Sequence, residues 1–376
     1  MAQPAHAPGV PLGRILGIPI YLHPSWFIIF LLITLSLRTQ FVSMHPNSTP
    51  AQHWMLGVVT SLLFFGSVVF HELSHSVVAK HYKIPVESIT LFVFGGLSRI
   101  QKEPEKASQE FNIALAGPLS SLFLAGCFWL VATRFHGSEM TVAAAKWLAE
   151  INFVLAIFNL FPGFPLDGGR IFRGIVWAIT HDFTRATRMA TTVGKGLGYL
   201  MIFLGIWQAL TGNWVAGLWT AFIGWFLLSA AQESYAQVAI KASLDGVRAG
   251  DIMSRDIPTV ARDISLEEYV HEVLRTGHQY HVVTAAGVPA GLVTLNAVRA
   301  VPRSEWSNTS VQAVMKPLSK IPVVSPNEPA TAILERMQQE EIGQIPVVSQ
   351  GQIIGIIGRD TIVRALQTRL QLGHLA

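Results

Sequence analysis

The stretch VVFHELSHSVVAK, residues 68–80, places two histidines and a glutamate inside a run of apolar residues. It follows LGVVTSLLFFGS, so the polar cluster lies late in a long apolar segment, and about 20 such residues suffice for a helix to cross a bilayer. Ionisable groups within a membrane are costly and mark functional sites by default. The stretch therefore predicts a membrane helix that carries a site.

The composition agrees with a membrane protein. The chain of 376 residues is 51% hydrophobic and 13% charged, against roughly 25% charged residues in soluble proteins. Apolar runs dominate the beginning of the chain, whereas acids and bases occur at ordinary density from Asp251 onward. We therefore predict a membrane domain over residues 1–235, a linker over 236–247 and a soluble domain over 248–376.

The distribution of charge and cysteine excludes several other classes of protein. The net charge is +4 and the pI is near 9.3, but the basic residues are scattered rather than gathered into a stripe with aromatic residues, which argues against nucleic-acid binding. Cys127 is the single cysteine, so no intramolecular disulfide forms and an oxidised extracellular module is not expected.

About six membrane helices are predicted from the hydropathy of the first domain. The apolar windows lie at residues 24–38, 54–79, 111–134, 143–161, 196–211 and 214–231. The first, fourth and fifth windows are short, which leaves an interfacial or re-entrant course open for them. Most lysines and arginines fall in alternate connections, so the positive-inside rule predicts that both termini and the soluble domain lie in the cytoplasm. We expect a multi-pass protein of the plasma (inner) membrane of a bacterium or archaeon.

Two further patterns are not membrane helices. The segment IPVESITLFVFGGLSRI, residues 84–100, is rich in β-branched and aromatic residues and ends at a glycine pair, so it predicts a strand and a turn. This hairpin either has a purely structural role or offers an edge that captures an extended peptide. The soluble part contains an internal repeat, in which Met315 corresponds to Met253 and Gly355 to Gly291. Each copy predicts a strand, a helix, two strands and a helix.

The HELSH motif has the spacing of a metal site. His71 and His75 are four residues apart, so on a helix they project from one face, one turn apart, as two imidazoles on one zinc require. Glu72 can point toward the open coordination position and take a proton from the attacking water. The alternative is a helix with hydrogen-bonded core histidines and a glutamate paired to a lysine.

Asp167 is the best candidate for a third ligand. It lies in FNLFPGFPLDGGR, residues 158–170, where prolines and glycines break the fourth apolar segment at its end. Irregular backbone at membrane depth is tolerated when it is buried or lines a polar cavity. The alternative is a cytoplasmic turn in which Asp167 acts as a cap.

These motifs together resemble the site-2 proteases, which are intramembrane zinc metalloproteases. The resemblance covers about residues 12–232 and rests on HELSH, on Gly117 and Pro118 in ALAGPLSS, on NLFPGFPLDGGR and on the opening GRILGIPIYLHPSWF. One departure is Ser121, where many relatives carry asparagine.

The resemblance implies the following site and mechanism. One zinc ion would be held by His71, His75 and Asp167, with Glu72 as general base and acid. Asn159 would hold the substrate backbone or the developing oxyanion. The hairpin around residues 91–96 resembles the strand with which the family clamps its substrates. A helical substrate must unwind before its carbonyl is accessible, and pairing to a strand edge would offset that cost.

The repeat resembles a tandem pair of CBS domains over about residues 246–369. Such pairs often bind adenine nucleotides, but the position usually occupied by a ribose-binding acid is Ala297 in the first copy and Thr361 in the second. Neither copy keeps this acid, so a nucleotide site is one alternative and a structural or homodimer-forming role is the other.

The fold class predicted from the sequence is thus a membrane bundle of about six helices with a small β-hairpin, followed by a soluble α+β CBS pair. The predicted function is zinc-dependent intramembrane proteolysis of a transmembrane protein in the bilayer, with membrane-tethered transcription regulators as the substrate class. One rival is a transporter or channel regulated by the CBS pair. Another is an inactive scaffold derived from a protease.

Overall fold

The computed structural model describes residues 9–373 apart from residues 94, 101, 135–137 and 341, with side chains to residue 369. The chain divides into two compact units between Val238 and Ala239. The first unit contains a four-stranded sheet, six helices and most of a seventh within the described ranges. These are β1 (Val10–Ile15), β2 (Ile18–Leu22), α1 (Pro24–Met44), α2 (Pro50–His81), β3 (Val86–Phe92), β4 (Gly95–Ile100), α3 (Ala107–Arg134), α4 (Glu139–Asn159), α5 (Asp167–Thr180), α6 (Phe183–Leu210) and α7 (Trp214–Ser243).

Six helices of this unit are long and apolar enough to cross a membrane, namely α1, α2, α3, α4, α6 and α7. The predicted number of membrane helices is therefore confirmed. The three windows that looked short belong to helices of 21, 21 and 28 residues, because polar residues extend each helix beyond its most apolar part. Helix α7 continues through most of the predicted linker before it ends at Ser243.

Local sequence explains where several of these helices begin. Thr49 precedes α2 and forms a capping box with Gln52, and Pro50 takes the first helical position, where a missing N–H costs nothing. Ser138 caps α4 through the N–H of Thr141. Each cap satisfies a backbone donor at a helix start that has no partner within the helix.

Hydrogen bonds between small polar side chains join α2 to its neighbours. Thr34 of α1 donates to Ser61 at 3.0 Å, and the amide of Asn152 in α4 donates to Ser67 at 3.3 Å. All four side chains are buried. Small residues let helix backbones approach closely in a membrane, and their polar groups bond across the contact. Helix α2 is thereby fixed near the centre of the first unit.

The sheet has the order β1-β2-β3-β4. The predicted hairpin is present as the antiparallel pair β3 and β4, whereas β1 and β2 were not predicted from the sequence. Strand β2 runs parallel to β3, and Ile20 is paired with Ile89. Buried Ile18 and Ile89 pack against Leu73 of α2. The sheet therefore lies against the helix at the level of the HELSH motif.

The connection between α4 and α5 differs in part from the prediction. Helix α4 ends at Asn159, as the proline and glycine residues indicated. The glycine pair, however, begins α5 rather than forming a turn, and Asp167 is its first residue, after the cap position at Leu166. A Cβ atom on Gly168 would overlap the carbonyls of Leu160 and Phe161. Close packing therefore requires glycine here despite its low helix propensity.

The second unit contains the repeated module. Its elements are α8 (Ala249–Ile252), β5 (Thr259–Ala261), α9 (Leu266–Thr276), β6 (Tyr280–Ala285), β7 (Val288–Thr294), α10 (Leu295–Arg299), α11 (Val311–Val314), β8 (Lys316–Pro317), α12 (Ala330–Gln339), β9 (Gln344–Ser349), β10 (Gln352–Gly358) and α13 (Arg359–Gly373), with 3-10 turns at Arg303–Glu305 and Leu318–Lys320.

Each copy of the repeat has a methionine near its start that packs against a glycine of the other copy. Met253 opens the first copy, yet it packs against Gly355 of the second, where a Cβ atom would lie 2.6 Å from its sulfur. Met315 opens the second copy and packs in the same way against Gly291 of the first, at 3.1 Å. The glycine in each copy is thus the contact point for the methionine of the other.

The prediction of one strand in the repeat is wrong. The first strand of the second copy is reduced to an isolated bridge between Val324 and Val347. Pro322 and Pro326 flank this position, and proline lacks the N–H that a strand ladder needs. The other elements of both copies are present as predicted.

Candidate metal centre

Three side chains that are distant in the sequence meet beside α2. His71 Nε2 lies 3.1 Å from Asp167 Oδ2, His75 Nε2 lies 3.2 Å from the same oxygen, and the two Nε2 atoms are 3.2 Å apart. His71 and His75 are each 4% exposed. Within the described residues this is the one group of three or more histidine, cysteine or acidic side chains with ligand atoms within 4.8 Å of one another.

The triangle has the dimensions of a tetrahedral zinc site. Ligand atoms about 2.05 Å from a tetrahedral zinc stand about 3.3 Å apart, close to the three observed distances of 3.1–3.2 Å. Two imidazoles and one carboxylate are also a donor set that zinc accepts, with one position left open. The residues present therefore fit a catalytic zinc ion.

Helix α3 fixes both imidazole rings from behind. His71 Nδ1 lies 2.9 Å from the hydroxyl of Ser121, and His75 Nδ1 donates to the carbonyl of Ile113 at 2.6 Å. A proton on Nδ1 leaves the Nε2 lone pair directed at the metal position. Between these contacts Gly117 lies directly against both Nε2 atoms, where a Cβ atom would overlap them. Helix α3 therefore sets the orientation of both rings and, through the carbonyl of Ile113, the tautomer of His75.

Asp167 enters the group from the first turn of α5, which is not one of the six long membrane helices. Burial acts to raise the pKa of this carboxyl group, but the charge and hydrogen bonds that His75 and His71 supply when protonated outweigh that effect and hold the pKa below its usual range. The side chain is therefore ionised at neutral pH. An ionised carboxylate is the form that binds a metal.

Glu72 lies under strand β4. The hydroxyl of Ser98 donates to Glu72 Oε2 at 2.6 Å, and a Cβ atom on Gly96 would overlap the Glu72 side chain. Sequence reasoning missed Ser98, because the bond joins residues on separate elements. The contact places the carboxylate of Glu72 beside β4, an edge strand of the sheet.

Asn159 occupies the last position of α4 and is half-buried. Within the part of the chain that the structure describes, its side chain makes no hydrogen bond to His71, His75 or Asp167. The sequence-based role of Asn159 therefore stays a prediction about the complex with substrate.

The second unit contains a cavity of about 930 Å³. Its wall includes residues from both copies, among them Thr294, Ala297, Asp360 and Thr361. The hydroxyl of Thr361 is hydrogen-bonded to the backbone of Gly358. It accepts from the N–H of Gly358 at 3.0 Å and donates to the carbonyl of Gly358 at 2.8 Å. Asp360 is one residue from Thr361, the position where the resemblance to CBS domains leads us to expect a ribose-binding acid.

The stability of this unit should depend on pH through a buried histidine. His281 is 1% exposed, and its Nε2 has no hydrogen-bond partner within the described residues. Burial and the neighbouring His278 lower the pKa of His281 from the ordinary value of about 6.5. The unfolded chain then takes up the proton more readily than the folded one. We expect stability to be complete above about pH 6.5 and to fall as the pH drops below it.

Hydrogen exchange of the full-length protein in detergent, corrected for the intrinsic effect of pH, measures this change. The protection of β6 and β7 should decrease between pH 7.5 and pH 5.5 in the wild type and much less in His281→Phe. His271 is exposed, so His271→Gln serves as the matched control and should behave like the wild type. An equal loss of protection in His281→Phe would assign the effect to another group.

Comparison with known families agrees with both parts of the chain. The model of peptidase family M50 matches residues 59–144 and 135–203, which include HELSH and Asp167. The model of the CBS domain matches residues 249–303 and 311–368. The two CBS matches correspond to the two copies of the repeat.

Two relatives named as zinc metalloproteases align over nearly the whole chain. The protein sll0528 of Synechocystis sp. is 34% identical over 363 residues, which are 96% of this chain and 96% of the relative. Rip3 of Mycobacterium tuberculosis is 35% identical over 363 residues, 95% of this chain and 92% of the relative. Among solved structures, the site-2 protease from Methanocaldococcus jannaschii is 31% identical, with 60% of this chain and 95% of that chain covered and a TM-score of 0.43.

Proposed function

The chain belongs to peptidase family M50 and is a metalloprotease, and from that premise we propose that it hydrolyses peptide bonds in or beside the transmembrane segments of membrane-tethered proteins. The observation that carries the proposal is the triangle formed by His71, His75 and Asp167 beside a membrane helix. Membrane-tethered transcription regulators are the proposed substrate class, because cleavage at this depth would release a soluble factor.

We assign the three ligand atoms of the triangle to one zinc ion. Zinc, when bound, would supply a Lewis acid that polarises the scissile carbonyl and activates the attacking water. Glu72 takes the proton from that water and delivers it to the leaving amide nitrogen. Asn159, at the end of α4, is proposed to hold the substrate backbone or the developing oxyanion through its amide.

Strand β4 is the proposed contact for the substrate. It ends the sheet on the side of Glu72, so its outer edge has no neighbouring strand in the described part of the chain. An unwound peptide paired to this edge would recover the hydrogen bonds that it lost on leaving its helix. The contact between β4 and Glu72 would then bring the paired peptide close to the base.

The proposed orientation places both termini in the cytoplasm. Helix α2 would end on that side at His81, six residues after His75, or roughly 9 Å along the helix. The helix ends and the segments between helices that are assigned to the cytoplasm contain many basic residues, namely Lys80, Lys83, Arg99, Lys102, Lys106, Arg170, Arg173, Arg185 and Arg188. The opposite side has Arg38 and Arg134 near helix ends. Water would reach the site from the nearby cytoplasmic surface.

For the CBS pair we infer regulation of the protease or formation of a homodimer. The 930 Å³ cavity has room for a nucleotide, and Asp256 and Asp360 are acids in its wall. Ala297 occupies the usual acidic position in one copy and Thr361 in the other, so an adenine nucleotide is kept as the alternative ligand. Any effector must bind two states of the protein with different affinity in order to act.

Hydrolysis of an unfolded protein by the purified enzyme tests the proposed function. An unfolded chain supplies extended peptide without the cost of unwinding a helix, and a quenched-fluorescent casein is a suitable probe. We expect hydrolysis in detergent, loss of hydrolysis after chelation and recovery when zinc is returned. The transporter alternative predicts instead solute flux in liposomes that survives chelation. Zinc-loaded protein that carries solute but hydrolyses neither casein nor a membrane-tethered substrate would reject the proposal.

A further inference from the structure

A buried ionic cluster lies one turn from the metal centre and is used by none of the assigned steps. Glu110 of α3 has 0% exposure. Its Oε1 accepts from Arg170 Nε at 3.0 Å and from Arg173 Nη2 at 2.6 Å. Both arginines belong to α5, the helix that begins with Asp167.

Glu110 continues the face of α3 that holds the histidines. The two imidazole rings contact Ser121, Gly117 and Ile113 of α3. Glu110 lies three residues before Ile113, nearer the start of the helix. Residues at such spacings lie along one side of an α-helix. A single face of α3 therefore orients both histidines and also binds α5 through the ion pairs of Glu110.

Through the two arginines, the ion pairs with Glu110 hold the chain on both sides of Asp167. Arg170 follows Asp167 by three residues, which places both on one face of α5. The guanidinium carbon of Arg173 lies 4.9 Å from the ring centroid of Phe164 and 4.6 Å from that of Phe183. Phe164 belongs to the connection just before Asp167. The cluster therefore constrains the chain before and after this carboxylate.

Close backbone packing leaves α5 little freedom to compensate for a lost contact. A Cβ atom on Gly174 would lie 3.2 Å from the carbonyl oxygen of Ala107 and 3.3 Å from the N–H nitrogen of Phe111. A slip of α5 by one residue would move Asp167 by about 1.5 Å along its helix axis. Site groups need positioning to within roughly 0.5 Å, so such a slip would take the carboxylate out of the metal site.

We infer that Glu110 is a positioning residue, which fixes Asp167 relative to His71 and His75 by pairing with Arg170 and Arg173, and thereby sets the affinity for zinc. The inference rests on the zinc site proposed above. Removing the charge of Glu110 leaves two guanidinium groups without their carboxylate, and Arg173 is only 6% exposed. The two arginine side chains would then form hydrogen bonds with water or with other groups, and we expect α5 to shift relative to α3 as they do so.

The test compares Glu110→Gln with Glu105→Gln. Glu105 is exposed and lies just before α3, so the control makes the same change of charge outside the cluster. Competition with a chelator measures zinc affinity in detergent, and thermal unfolding of zinc-free protein measures the fold separately. We expect a loss in zinc affinity of about 10- to 100-fold in Glu110→Gln, as for other residues that orient ligands, and none in Glu105→Gln. The visible spectrum of cobalt-loaded protein should change in Glu110→Gln alone, since it reports ligand geometry.

A second variant keeps the test decisive if Glu110→Gln does not fold. Arg170→Lys retains the positive charge but removes the Nε donor, and Glu110 keeps its bond to Arg173. We expect a smaller loss of zinc affinity in this variant. Unchanged zinc affinity in the folded variants, with any effect confined to zinc-free unfolding, would overturn the inference. Zinc binding that survives Asp167→Ala would instead overturn the proposed site itself, so the two failures are distinguishable.

Discussion

Replacing Glu72 with glutamine should lower hydrolysis by at least about 10²- to 10⁴-fold, the contribution expected of a general acid–base residue, while zinc stays bound. Glutamine has the same shape, and its carbonyl oxygen can still accept the bond from Ser98 that is 2.6 Å long in the wild type. Strand β4 should therefore keep its place. The amide cannot accept a proton from water, so the chemical step is lost while the site is retained.

Hydrolysis of quenched-fluorescent casein and zinc content per chain are the two measurements for this variant. Glu103→Gln is the matched control, because Glu103 is exposed in the connection before α3. Undiminished hydrolysis by Glu72→Gln would reject Glu72 as the base. If the prediction holds, the inactive variant should also retain membrane substrates during purification, which offers a way to identify them.

Replacing Asp167 with alanine should remove zinc from the purified protein. The wild type should contain about one zinc per chain, since its three ligands match a catalytic site. The variant retains two neutral imidazoles and loses both the third ligand and its negative charge. We expect zinc affinity to fall by more than about 100-fold, beyond the effect of mutating residues that merely orient ligands, and hydrolysis to fall with it.

Metal analysis after dialysis against a weak chelator checks this result. Asp263→Ala is the control, because Asp263 is exposed in the second unit and its loss should leave the zinc content unchanged. Full zinc occupancy in Asp167→Ala would mean that another residue completes the site. Absence of zinc from carefully handled wild type would mean that HELSH is not a working metal site.

The membrane helices and the repeat were predictable because their signals are local or periodic. A span needs about 20 apolar residues whatever surrounds it, so the hydropathy windows found all six long helices. The correspondence of Met253 with Met315 and of Gly291 with Gly355 revealed the two copies. The four-residue spacing of His71 and His75 is enough to place both on one helical face, because the helical period alone relates them.

The elements that sequence reasoning missed depend on distant partners. Strand β2 is fixed by parallel pairing with β3, whose paired residues lie far along the chain, such as Ile20 and Ile89. Helix α5 starts with two glycines, which disfavour a helix locally, and it forms against α3 and the connection after α4. Propensity and hydropathy describe neither contact, so neither element was predicted.

The sequence by itself determined the class of the molecule, the two histidines and their glutamate, and the identity of Asp167 as the best third ligand. Only the tertiary structure decided that Asp167 lies 3.1–3.2 Å from both histidines, that α3 orients the rings, that Ser98 contacts Glu72 and that Glu110 joins α3 to α5. The physical reason is distance along the chain. A helical period relates residues within a few turns, whereas a metal centre requires sub-ångström agreement between separate helices, which only the packing of the whole unit provides.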